Sequence, residues 1–165
     1  MSLRTITFLF FSLILSEHTL AYTDTDAFTN LLSEVSGGNT FPLVTKEKSA
    51  ALYFDRTDFK GVIRAVDDLQ ADIESVTGCK PSKCSELALP RLPVIIGTIG
   101  RNKYIDRLID SKKINAGDLK NKWESFVIAT VKEPFPGVEQ ALVIAGSDKR
   151  GTIYGIYELS RQLGV

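Results

Sequence analysis

Residues 49–78, SAALYFDRTDFKGVIRAVDDLQADIESVTG, followed at 92–98 by LPVIIGT, decide the fold. Residues 49–55 are a short apolar run between polar neighbours, too brief for a useful helix and suited to a central strand buried on both faces. From Phe59 the apolar positions are Phe59, Val62, Ile63, Val66, Leu69, Ile73 and Val76, and this spacing of three and four gathers them on one side of a helix. Thr57 or Asp58 is placed to cap that helix by accepting from its free N–H groups, and Gly78 to end it in the left-handed conformation. Arg64, Asp67, Asp68, Asp72 and Glu74 make its solvated face. With residues 92–98 as a second buried strand, the unit is strand–helix–strand, a crossover that leaves the two strands parallel.

Outward from this unit, residues 102–109 predict a second, shorter helix. Residues 125–131 and 141–145 predict two strands joined through Glu133-Pro134-Phe135-Pro136-Gly137. That connection is too short for a crossover helix, so these strands are expected to be antiparallel. Residues 149–163 predict the last helix, with Ile153, Ile156, Tyr157 and Leu163 toward the sheet and Gly164 as terminator. The expected class is α/β: a mixed sheet with a βαβ crossover, a C-terminal antiparallel hairpin and flanking helices in two or three layers. Residues 22–40, where Phe28, Leu31, Leu32 and Val35 are followed by Gly37-Gly38-Asn39, read as a leading arm, and residues 41–165 as one domain.

A chain of 165 residues can bury roughly two thirds of its unfolded surface. Twenty acidic residues balance twenty basic ones without a block of like charge, so neither nucleic acid nor a membrane is expected as partner. Residues 1–21 read as a secretory signal: Arg4 is the positive n-region, residues 6–15 the apolar h-region, and Thr19-Leu20-Ala21 the cleavage site. The mature chain is then extracellular and starts at Tyr22. The apolar run is well short of the roughly 20 residues a spanning helix needs. The single histidine, His18, leaves with the leader, and no Ser-His-Asp triad or histidine zinc site can be built from what remains. No cofactor or metal is expected. Cys79 and Cys84 flank Lys80-Pro81-Ser82-Lys83, and in an oxidising compartment they predict a local disulfide.

Residues 145–155, AGSDKRGTIYG, run from a strand end through a sharp turn into a helix, and two readings fit them. In one, the N–H groups of the helix start, with Lys149 and the forked guanidinium of Arg150, bind an anion such as a glucuronate carboxylate. In the other, Ser147 or Asp148 caps the helix, Gly151 and Gly155 let it approach the sheet, and Arg150 pairs with a nearby carboxylate. Residues 96–101, IGTIGR, also follow a strand and open a helix, but lack the third glycine of a dinucleotide turn and the Gly-Lys-Ser/Thr of a P-loop. The chain's carboxylates show no pattern that forces two into one cleft, so no catalytic acid or base is assigned. Among the aromatic residues Trp123, Phe126, Tyr154 and Tyr157, Phe126 and Tyr157 fall within apolar patterns and are expected to be buried. Trp123, amid Lys120, Lys122 and Glu124, is the candidate sugar-stacking platform.

The blocks VIIGTIGR at 94–101, KWESFVIATV at 122–131 and PGVEQALVIAGSDKRGTIYGIYEL at 136–159 resemble the N-terminal α/β domain of glycoside hydrolase family 115, the xylan α-1,2-glucuronidases. The resemblance runs from about Phe41 to Val165. It implies a secreted multidomain hydrolase that removes 4-O-methylglucuronic acid from xylan with inversion, its acid and base residing in a catalytic barrel that follows this domain. The matching portion is similar also to the accessory domain that precedes the barrel in β-hexosaminidases and family 67 glucuronidases. The barrel carboxylates have no counterpart here, so the resemblance implies a non-catalytic domain or fragment. Its expected partners are the barrel, docked near residues 147–150 and the last helix, and glucuronoxylan. Ser147, Asp148, Lys149, Arg150 and Trp123 are the candidate substrate-binding residues, and a stand-alone secreted carbohydrate-binding module is the alternative.

Overall fold

The computed structural model describes residues 20–21, 40–45, 48–85, 92–115, 117 and 119–165, with backbone alone at 20–21. The rest of the expected leader, most of the leading arm and the segment before the second buried strand lie outside the described residues. In chain order the strands are β1 Leu20–Ala21, β2 Val44–Thr45, β3 Lys48–Ser49, β4 Ala51–Phe54, β5 Lys83–Cys84, β6 Pro93–Thr98, β7 Phe126–Lys132 and β8 Gln140–Gly146. The helices are α1 Lys60–Thr77, α2 Lys103–Asp110 and α3 Lys149–Leu163.

Six strands form one mixed sheet in the order β1-β7-β8-β6-β4-β5, and β2 pairs with β3 in a separate antiparallel ribbon. β4, β5, β6 and β8 run parallel, whereas β7 is antiparallel to both β8 and β1. The two strands of the expected crossover, β4 and β6, are parallel neighbours, but the chain leaving α1 first adds the short parallel strand β5 on the other side of β4 before it reaches β6; the expected hairpin is β7-β8. At the outer edge Leu20 and Ala21, read from sequence as the end of the leader, pair with Ile128 and Val127.

Alternation along the strands supplies two cores, one per face. Leu52, Val94, Ile96 and Ile144 pack with α1 and α3; Tyr53, Ile95, Val127 and Val143 pack with Tyr104, Ile105 and Leu108 of α2. The domain is therefore three-layered. All six residues of β6 are buried, which is why its sequence is continuously apolar rather than alternating.

Three local expectations are corrected. Neither Thr57 nor Asp58 caps α1: the residue before it is Phe59, with no side-chain cap. The buried Asp58 carboxylate instead accepts from Phe59 N at 2.7 Å and, through its other oxygen, from Thr98 N at 2.8 Å, fastening the start of α1 to the end of β6. Val76 lies in the last turn of α1, past the buried stripe that ends at Ile73, and is 48% exposed. Tyr157 is 44% exposed, because successive helical residues point about 100° apart and Ile156 and Leu159 take the inward directions. Its hydroxyl reaches Asp68 of α1 at 2.7 Å. Gly78 and Gly164 end α1 and α3 in the left-handed conformation, as expected.

Candidate functional site

The β8-α3 turn is tied to the residues that lead into β7. Asp148 is the N-cap of α3: one carboxylate oxygen accepts from Gly151 N at 2.8 Å and the other from Glu124 N at 2.8 Å. Burial alone would push this carboxyl upward, yet the backbone N–H groups of Glu124, Gly151 and Arg150, with the Arg150 charge, hold it below the usual aspartate range. Asp148 thus sits where a bound anion would lie. Ser147 N donates to Ser125 O at 2.8 Å, and Ser125 N donates to Ser147 Oγ at 3.1 Å.

The glycines explain the closeness. A Cβ on Gly151 would stand 2.2 Å from Ser125 O, and one on Gly155 would stand 2.8 Å from Ile144 Cγ2, so only glycine lets α3 lie this near the sheet. Arg150 pairs with Glu124 at 2.7 Å and donates to the Tyr154 hydroxyl at 2.9 Å. The structure thus gives Ser147, Asp148 and Arg150 architectural work, while Lys149 is exposed.

Trp123 belongs to the same assembly. Its neighbour Glu124 has φ 57°, a left-handed conformation that costs a non-glycine residue about 1–2 kcal/mol. The hydrogen bond to Asp148 and the ion pair to Arg150 hold Glu124 there. The clamped turn presents Trp123 at 88% exposure. Its neighbour Glu124, with Phe126, Tyr154, Tyr157, Glu158 and Arg161, walls a groove of about 270 Å³. Glu158 takes two bonds from the Arg161 guanidinium, at 2.7 and 2.9 Å, and one from Gln162; the Arg161 bonds chiefly hold its carboxyl below the usual glutamate range.

Sequence reasoning missed Glu124, Glu158 and Arg161. The three-residue spacing of Glu158 and Arg161 is a readable helical pair, whereas the role of Glu124 depends on a tertiary clamp that leaves no local signal.

The turn at residues 97–101 spends its amides internally. Ile99 N donates to Gly146 O at 3.0 Å, Gly100 N to Asp106 Oδ1 at 2.7 Å, and Arg101 N and Asn102 N to Thr98 O. Asn102 is buried and caps α2 by accepting from Tyr104 N and Ile105 N. An open cleft of about 470 Å³ beyond this turn is bordered by Asp55, Thr57, Arg101 and Lys103. Among the described residues no cluster of three or more His, Cys, Asp or Glu is set to hold a metal ion, and no helix is long and apolar enough to cross a membrane.

Cys79 and Cys84 are free thiols in the structure rather than the expected disulfide. Parallel pairing of β5 with β4 sets Cys84 opposite Tyr53 and packs it against the α2-side core, and burial pushes its thiol pKa up. Cys79 lies one residue past the Gly78 cap, its N–H donating to Thr77 Oγ1 at 3.2 Å.

No protein-family model matches the chain, and no curated protein matches it. Among solved structures, a family GH115 4-O-methyl-α-glucuronidase described as specific for decorated arabinogalactans is similar, with a TM-score of 0.55 and 33% sequence identity. The match covers 70% of this chain and 13% of that one, so the chain spans a small fraction of that enzyme's length. The protein therefore carries a glycoside-hydrolase-related α/β domain with a fold like that of a GH115 domain.

Proposed function

We propose that this chain is the N-terminal, non-catalytic α/β domain of a secreted α-glucuronidase-type glycoside hydrolase, a scaffold against which a catalytic barrel packs. The observation that carries the proposal is the 33% identity over 70% of this chain, confined to 13% of a GH115 enzyme. Electrostatics support a non-catalytic role. A glycosidase needs a carboxyl group kept protonated near neutral pH to act as general acid. Here Asp148 and Glu158 are both shifted the other way, toward the ionised form. Asp58, Asp106 and Glu124 are engaged in fold-holding bonds. The sequence of residues 1–21, which reads as a secretory leader, supports secretion. The enzyme's substrate would be a polysaccharide decorated with 4-O-methylglucuronate, a xylan or an arabinogalactan.

A chimera tests the proposal. Replacing the corresponding domain of a GH115 enzyme by residues 41–165 is expected to give a folded enzyme that retains most of its activity. A chimera whose barrel folds but associates with nothing in this domain, so that protease separates the two, would contradict it.

A second reading, a carbohydrate-binding module in its own right, is favoured by Trp123, held at 88% exposure on a clamped turn. Saturable change of tryptophan fluorescence with polysaccharide fragments is its test.

A further inference from the structure

We infer that the groove walled by Tyr154, Tyr157 and Glu158, with Trp123 one residue along the chain from its Glu124 wall, forms a binding subsite for a neutral pyranose unit of a polysaccharide backbone. The inference deepens the carbohydrate-binding reading and rests on it, and it applies to the chain with no barrel docked on the last helix.

Shape and rigidity come first. The groove, about 270 Å³, lies just under the roughly 300 Å³ at which pockets for drug-sized ligands begin, a scale that suits one sugar ring. Tyr154 and Tyr157 stand three apart on α3 and so share a face. Their rings are fixed at the far end, Tyr154 by the bond from Arg150 and Tyr157 by its bond to Asp68. Trp123 rides on a turn locked through Glu124 and Ser125 to the start of α3. The two tyrosine faces, held in place before a ligand arrives, lose little freedom when a sugar's C–H face stacks on them.

Charge selects the class of sugar. The groove's acidic groups are each matched by an arginine, Glu124 with Arg150 and Glu158 with Arg161. A uronate entering here would meet two carboxylates, and each guanidinium within reach already shares its charge with one of them. A neutral pyranose offers hydroxyl donors to carboxylate oxygens and its C–H face to the rings, and leaves both ion pairs intact.

Trp123 is the chain's only tryptophan, so intrinsic fluorescence reports this site alone. The full chain is titrated with xylohexaose, with a linear galactohexaose, and with the same xylan fragment bearing a methylglucuronate branch, by fluorescence and calorimetry. Saturable binding of a neutral hexaose is expected with Kd on the order of 1 mM, not tightened by the acidic branch. Trp123→Ala and Tyr154→Ala are each expected to weaken it about tenfold by calorimetry, with circular dichroism unchanged, and Lys48→Ala to leave it unaltered. Binding that survives both aromatic substitutions would refute the site while the module reading stands. Binding only of the branched fragment would refute the neutral class. No binding of any probe would overturn both the subsite and the module reading.

Discussion

Gly151→Ala separates a turn built for packing from one that merely opens a helix. Inside a helix the substitution is ordinarily favourable by about 1 kcal/mol, because alanine has less freedom to lose than glycine. Here the new Cβ would lie 2.2 Å from Ser125 O, about 1.2 Å short of the 3.4 Å where ordinary contact begins. The obstacle is backbone, with Ser125 N and C also at 3.0 Å, so no side chain can swing aside. Relief requires the start of α3 to move outward, stretching the bonds from Ser147 N to Ser125 O and from Glu124 N to Asp148, both 2.8 Å. Each such bond contributes about 1 kcal/mol net, and overpacking alone costs typically 1–3 kcal/mol. After the propensity gain, a net loss of roughly 2–4 kcal/mol is expected. In urea unfolding followed by circular dichroism, with a slope of about 2 kcal/mol per molar, the midpoint should fall by about 1–2 M. Gly61→Ala is the control: its Cβ meets Ile153 Cδ1 at 3.3 Å and Lys149 Cδ at 3.8 Å, both on flexible side chains, and its midpoint should stay level or rise slightly. A Gly151→Ala midpoint equal to that of the Gly61→Ala protein would refute the packing claim.

Asp148, whose carboxyl is held below its ordinary value of 3.8, contributes stability that is fully present above that value and is lost as pH falls through the lower folded one. Asp148→Asn should therefore flatten the fall in urea midpoint as pH drops through the usual aspartate range and below it. Asp58→Ala leaves the Thr98 N–H without its 2.8 Å partner in a buried setting, a loss of about 1–3 kcal/mol. That should appear as a Tm several degrees lower, at roughly 2–4 °C per kcal/mol for a chain this size. Thiol labelling of the native protein is expected to find two reactive cysteines, and in single Cys→Ser variants Cys84 should react more slowly than it does after unfolding, since burial raises its thiol pKa.

Much of the architecture was legible because its signals are local. The α3 bounds follow from Asp148 ahead of the helix and Gly164 after it, and the Pro-Phe-Pro-Gly connection made β7 and β8 antiparallel. The paired architectural roles of Asp148 and Arg150 were also among the readings that the turn itself suggested. What escaped depends on distant partners. Asp58 looks like a helix cap until the Thr98 amide, 40 residues away, claims it. Tyr157 fits an apolar pattern, yet its hydroxyl finds Asp68 across to α1, 89 residues back, and the ring stays at the surface. Glu124 carries no backbone-breaking signature, and only its bond to Asp148 and its pairing with Arg150 reveal why it adopts φ 57°. The cysteines share a short loop in sequence, but strand pairing commits Cys84 to the core side of β5.

The most direct test of the scaffold role is an assay of the purified 165-residue chain, free of other hydrolases, on glucuronoxylan and on decorated arabinogalactan, with released 4-O-methylglucuronic acid quantified over time. A domain whose shifted carboxylates favour the ionised form is expected to release none above the buffer blank on either polymer. Steady release that scales with the amount of chain added would contradict it and place a working acid and base within these residues.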